Sequence, residues 1–186
     1  MNSFLIAAYV AWISSELYLN RFARSGNIEK QKKDNGSEWI LWLAAIASVT
    51  VASLISLYSN LAITSNEILF YFPPTIMMAG IIFRFIAVRQ LGKFFTVDVV
   101  LQKDHQLIQS GLYKYLRHPS YTGALITFTG FGLSLNHWIS FFLVFLSALI
   151  SFNLRMTLEE NALISLFGDS YYEYKKRTWR VFPFVL

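Results

Sequence analysis

Apolar residues run through this chain in blocks long enough to cross a bilayer, separated by short polar segments. A hydrocarbon layer about 30 Å thick needs about 20 mostly apolar residues as α-helix. Five stretches approach that length: 3–21, 39–58, 74–91, 121–135 and 138–155. The pattern predicts an all-α integral membrane protein with about five transmembrane helices. Pro73 and Pro74 disfavour helix in the residues before them but suit a first turn. The third helix is therefore expected to start at Pro74, with the apolar piece 68–72 as an interfacial connection. The fourth stretch is short and runs at once into "SLNHW", which predicts a tight helix 4–helix 5 hairpin with Asn136 and Trp138 at an interface. The N-terminal run lacks the basic start and small-residue cleavage site of a signal peptide and reads as a retained first span. No internal repeat divides the chain, so 1–186 is expected to be a single membrane domain.

Charge orients these spans. Hydrophobic residues make up 55% of the chain and charged residues 15%, a balance that excludes a disordered chain and points away from an ordinary soluble domain. A formal charge of +5 is compatible with nucleic acid, but the basic residues fall in a pattern. Arg21, Arg24, Lys30, Lys32 and Lys33 follow the first stretch; Lys93, Lys103, Lys114 and Arg117 follow the third; Lys175, Lys176, Arg177 and Arg180 follow the fifth. The second–third and fourth–fifth connections carry no Lys or Arg. By the positive-inside rule the N-terminus is expected outside, the C-terminus cytoplasmic, and 22–38, 92–120 and 156–186 cytoplasmic. No nucleic-acid partner is expected; membrane lipids are. In a bacterium the location would be the inner membrane.

The polar chemistry is concentrated in those segments. Cysteine is absent, which excludes disulfides and thiolate chemistry, and His105, His118 and His137 are too scattered for a metal site. Arg155 and Glu159 are four residues apart and share a helix face. They are either a snorkelling arginine with a surface partner or a working pair. Glu160 is rotated about 100° from Glu159 and is expected to do a different job. In "HQLIQSGLYKYLRHPSYTG", Ser110-Gly111 reads as a turn and His118-Pro119 as an extended residue opening a helix. Pro119 is expected to leave free N–H groups that favour an anion. Tyr113, Tyr115 and Tyr121 offer flat faces for a ring or a cation. The alternative is a Tyr-, Lys- and Arg-rich interfacial belt. Arg84 and Glu16 read first as snorkelling groups. Asp34 or Ser37 is expected to cap the second helix. The tail aromatics Phe167, Tyr171, Tyr174 and Trp179 lie against the membrane surface or cover a site.

Taken in order, Arg84 with "LGKFFT", then "HQLIQSGLYKYLRHPSYTG", a short hairpin, "RMTLEE" and "FGDSYYEYKKRTWRVFP" resemble the isoprenylcysteine carboxyl methyltransferase family of integral membrane methyltransferases, in its short prokaryotic-type form. The resemblance covers roughly 84–183, while residues 1–83 carry no comparable signature. Phospholipid methyltransferases and sterol reductases share weaker parts of it. The resemblance implies a catalytic core at 84–186 and S-adenosylmethionine as methyl donor; residues 1–83, outside the resemblance, are left as the expected lipid-substrate side. It implies a donor site at His105, Gln106, Leu107, Ile108, Tyr113, His118, Pro119, Ser120, Tyr121 and Glu159, with Arg155 on the substrate side and Arg155 and Glu159 catalytic. A family glutamine corresponds in order, at shorter spacing, to Gln102. The implied reaction is carboxyl O-methylation of a prenylcysteine-type lipophilic acceptor. Methylation of another lipid or phenolic oxygen, and an NADPH-dependent membrane reductase, are the alternatives.

Overall fold

The computed structural model describes residues 3–24, 31–32, 37–66, 70–95, 100–101 and 106–183. His105, Gln102 and Asp34 lie outside the described residues, as do the side chains of residues 22–42. Each predicted apolar stretch coincides with a helix: α1 (Ser3–Arg24), α2 (Ser37–Tyr58), α3 (Phe72–Leu91), α4 (Pro119–Ser134) and α5 (Trp138–Phe167), followed by α6 (Asp169–Arg177). One feature departs from all-α. Gln31–Lys32 (β1) pairs antiparallel with Val100–Leu101 (β2), tying the α1–α2 connection to the α3–α4 connection.

The helix ends follow local chemistry, with one difference from expectation. α3 starts at Phe72 rather than Pro74, because prolines in the first turn have no N–H to satisfy and already hold a helical φ. α4 starts at Pro119 and its 16 residues span about 24 Å, shorter than the hydrocarbon layer. α5 runs 30 residues and carries the helix past the apolar stretch that ends at 155, as the shared face of Arg155 and Glu159 requires. "EENALISLF" contains no helix breaker, so the helix continues until Gly168, whose φ of +52° stops it. The apolar part of α5 therefore ends near Arg155, and its charged continuation stands beyond it. At the opposite end, Asn136 takes a left-handed φ of 48° in the α4–α5 turn. Its side-chain amide brackets Thr64, accepting from Thr64 N at 3.0 Å and donating to Thr64 O at 2.9 Å.

The bundle is centred on Ala8, Ala52, Met77, Phe131 and Val144, one from each of α1 to α5. Trp12 seats its ring against Phe128 and Phe131, at 5.1 and 5.3 Å. Large apolar side chains such as Ile13, Leu17, Leu43, Leu57 and Ile150 point outward. Among the described residues, α3 and α5 are long and apolar enough to cross a membrane, and α2 contributes a shorter apolar run, Leu43–Tyr58.

α3 and α4 pack backbone to backbone along a seam of small residues. A β-carbon at Gly123 would lie 2.6 Å from Arg84 N, one at Gly80 2.5 Å from Thr127 N, and one at Gly130 2.7 Å from Met77 N. Between lipids, where apolar burial drives helices together weakly, such close approach supplies the packing. Gly130→Ala is expected to push the helices apart and cost about 1–3 kcal/mol. A thermal melt in detergent checks this, and an unchanged midpoint would mean the seam can relax.

Candidate functional site

The chemistry gathers at one end of the bundle, where α3 ends, α4 begins and α5 emerges. Residues 106–109 run without regular structure, with Gln106 exposed and Leu107 and Ile108 half-buried. A 3-10 turn follows at Gly111–Lys114. Gly111 has a φ of +60°, and a β-carbon there would meet Gln90 Oε1 at 2.5 Å. Gln90 Oε1 accepts from Leu112 N at 2.8 Å, so the end of α3 holds this turn. The turn buries Tyr113, 6% exposed.

Residues 115–118 then lie beside the C-terminal segment as a short parallel ladder. Arg117 N donates to Trp179 O at 2.8 Å, His118 N to Arg180 O at 3.1 Å, and Trp179 N to Tyr115 O at 2.9 Å. Tyr174 Oη donates to Tyr113 O at 2.7 Å. Thr122 Oγ1 donates to Val181 O at 2.8 Å, and Val181 is buried with Leu125, Ala148 and Met156. Of the two readings of the tail aromatics, Tyr171 and Tyr174 follow the second: both are buried against this wall. Burial pushes the phenols of Tyr113, Tyr171 and Tyr174 above their ordinary range, so all three stay neutral hydroxyls.

The two adjacent glutamates of α5 face different neighbours, as their 100° separation requires. Glu159, its side chain 25% exposed, accepts from Tyr121 Oη. Arg155 Nε stands 3.6 Å from its Oε1, and His118 Nδ1 3.7 Å from its Oε2. Arg155 itself is 3% exposed, which rules out the snorkelling reading. Glu160 is the buried one. Its Oε1 accepts from Arg117 Nε at 3.1 Å, His118 Nε2 at 3.2 Å and Arg180 Nε at 3.2 Å. Its Oε2 accepts from Lys175 Nζ at 2.9 Å. Burial works against a charge there, but the hydrogen bonds from His118 and Lys175 and the charges of His118 and Arg180 outweigh it. The Glu160 carboxyl is held well below the usual carboxylate range. The His118 imidazole thus sits between the two carboxylates.

Two further expectations change. Arg84 and Glu16 pair with each other, Nη2 to Oε2 at 3.3 Å, instead of reaching outward. Arg84 Nη1 also donates to Ser120 O at 3.4 Å, in the first turn of α4. The α4 terminus offers fewer donors than expected, because Pro119 has no N–H and those of Tyr121 and Thr122 both turn back to His118 O. Positive charge here comes from arginine side chains more than from the helix end. Among the described residues, Gln106, Leu107, Ile108, Tyr113, His118, Pro119, Ser120, Tyr121, Arg155 and Glu159 all lie on this end of the bundle.

Residues 74–165 match the profile of the isoprenylcysteine carboxyl methyltransferase (ICMT) family. A relative from Arabidopsis thaliana, protein-S-isoprenylcysteine O-methyltransferase B, is 32% identical over 171 residues, a match spanning 80% of this chain and 87% of that protein. The chain belongs to the ICMT family. Another ICMT relative, the protein-S-isoprenylcysteine O-methyltransferase of Schizosaccharomyces pombe, is 39% identical over 101 residues, 53% of this chain and 43% of that protein. That of Dictyostelium discoideum is 37% identical over 109 residues, 58% of this chain and 46% of that protein. The chain thus spans less than half the length of these two relatives. Its fold matches the solved eukaryotic intramembrane Ras methyltransferase ICMT with a TM-score of 0.65 and 26% identity, over 82% of this chain and 54% of that one. With that intramembrane ICMT relative and its own apolar helices, the chain is an integral membrane protein. The 80% and 82% shares exceed what residues 84–186 can supply, so the likeness to ICMT proteins reaches into the N-terminal helices, where no signature was expected.

Sequence reasoning missed the Glu160 cluster. Arg117, Lys175 and Arg180 counted there as orientation signals, whereas three of those charges converge on one carboxylate. The second glutamate of "RMTLEE" marked the position, but its partners are distant in sequence and left no local signal.

Proposed function

We propose that this chain transfers a methyl group from S-adenosylmethionine to the carboxylate of a lipophilic, prenylcysteine-type acceptor, at the cytoplasmic face of a five-span bundle with its N-terminus outside. The carrying observation is that Arg155 and Glu159 stand together, 3.6 Å apart, against the wall built from Tyr113, His118 and Tyr121. The names of the relatives support the same acceptor class.

The residues fit the donor's chemistry. Leu107 and Ile108 offer a half-buried backbone strip, and Tyr113 a ring face, for an adenine. Glu159 is part exposed and held at ion-pair rather than hydrogen-bond distance by Arg155 and His118, so it retains capacity for an amine or ribose hydroxyl. When bound, the donor supplies an electrophilic methyl group on a sulfonium sulfur.

Arg155 holds the acceptor carboxylate through its planar fork. That carboxylate is already ionised at neutral pH, so no side chain has to remove a proton. The task of the protein is alignment and exclusion of water. Pro119, Ser120 and Tyr121, at the start of α4, close the wall where a soluble donor and a lipid acceptor meet. Bilayer lipids surround the acceptor's apolar chain.

The test is incubation of purified protein with radiolabelled S-adenosylmethionine and a panel of lipophilic carboxylates and phenols, followed by identification of the labelled product. A base-labile methyl ester on a prenylcysteine carboxylate is expected. Label on a phenol alone would move the acceptor class, and binding of NADPH in place of the methyl donor would overturn the reading. Tyr113→Ala is expected to weaken donor affinity about tenfold by removing an aromatic face, with acceptor affinity unchanged. Equal donor affinity in calorimetry would remove Tyr113 from the site.

A further inference from the structure

Arg84 is held firmly in place but incompletely satisfied. Among the described residues, its Nε is buried without a hydrogen-bond partner. Nη2 reaches Glu16 at 3.3 Å and Nη1 reaches Ser120 O at 3.4 Å, both beyond the usual N–H···O range. A guanidinium carries five N–H donors in a fixed fork, so an unpaired edge in a buried setting suits an anion.

Three contacts fix where that edge lies. The backbone of Arg84 is pressed against Gly123 of α4, leaving no room for a β-carbon. Ser120, one turn earlier on α4, takes Nη1. Glu16 takes Nη2 from α1, on the inward face that also carries Trp12, Ser15 and Leu19. The position is close to the proposed chemistry, since the charges of Arg84 and Glu159 both act on the Tyr113 phenol.

We propose that Glu16, from the N-terminal helix, is a positioning residue for the acceptor. Through its ion pair it keeps the Arg84 guanidinium in place, with the buried Nε donor left unpaired for an anionic head group. Glu16 does not touch the acceptor. It sets which edge of the fork is free, and so how strongly the site prefers a charged acid to its neutral ester. This rests on the reading that the acceptor is a lipophilic carboxylate.

The experiment uses the full chain in detergent or nanodiscs. The probes are N-acetyl-S-farnesylcysteine and its methyl ester, with binding followed by tryptophan fluorescence and donor affinity measured in parallel. Wild type is expected to bind the acid about tenfold more tightly than the ester. Glu16→Gln is expected to shrink that preference to about twofold by weakening the acid alone, with Glu16→Asp restoring most of it. Donor affinity stays unchanged in both variants. An acid preference that survives Glu16→Gln overturns the proposal, as does a wild type with no preference. A parallel loss of acid, ester and donor binding also overturns it, since that is the mark of a fold defect. If the preference falls as expected but no methyl is transferred to the acid, Glu16 keeps its role and the proposed reaction fails. If methyl is transferred and the preference is indifferent to Glu16, the reaction stands and the role of Glu16 fails.

Discussion

Glu159→Ala is expected to lower methyl transfer by about a thousandfold or more, the scale set by removing a preorganised electrostatic group from a catalytic site. Glu159 is the common neighbour of Tyr121, Arg155 and His118. Its loss releases the Tyr121 hydroxyl and removes the carboxylate that faces the Arg155 guanidinium. Both the proposed donor contact and the orientation of the acceptor's anchor are affected. Arg155→Ala is expected to reduce transfer to a similar extent, mainly through the acceptor. The double variant is expected to be little worse than either single one, because the two residues act as a unit. Transfer of a labelled methyl group measures the rate, and circular dichroism checks that the helices remain. Wild-type turnover in either single variant would show that the pair is only structural.

Glu160→Gln is expected to lower stability by about 3 kcal/mol at neutral pH, since it takes the charge from a buried carboxylate whose cationic partners stay in place. In a chain of this size that is a fall in melting temperature of about 6–12 °C. The effect has a defined pH dependence. The folded-state pKa of Glu160 lies well below its ordinary value of 4.5. Its stabilisation is therefore fully present above that ordinary value and drains away as pH falls below it. Wild type is expected to lose stability steadily from about pH 5 to pH 3, and Glu160→Gln to change less, so that the two melting curves converge in acid. Parallel curves across that range would mean the charge of Glu160 does not stabilise the fold.

Much of the helical frame was legible because apolar stretches and prolines report directly on bilayer crossing and helix starts. The i,i+4 relation of Arg155 and Glu159 was legible for the same kind of local reason. Other features depend on partners distant in sequence. Nothing near Glu160 says that Arg117, Lys175 and Arg180 come back to it, and nothing near Glu16 names Arg84. The β1–β2 ladder is two residues on each side, too short to leave a period-two pattern. The continuation of α5 past its apolar stretch was readable from the shared helix face of Arg155 and Glu159 and the lack of breakers before Gly168.

The ladder between residues 115–118 and the segment around Trp179 also bears on how the molecule is made. Tyr113 and Tyr174, joined by a hydrogen bond, are 61 residues apart. At ordinary translation rates the ribosome takes about 3 to 12 seconds to cover that distance. During that interval α4 and α5 are made and inserted while the strip beside them has no partner. A nascent chain stalled within α6 is then a membrane-inserted bundle with an open wall. On the proposed reading, donor binding is therefore expected only once the segment through Val181 has been made and has docked beside residues 115–118.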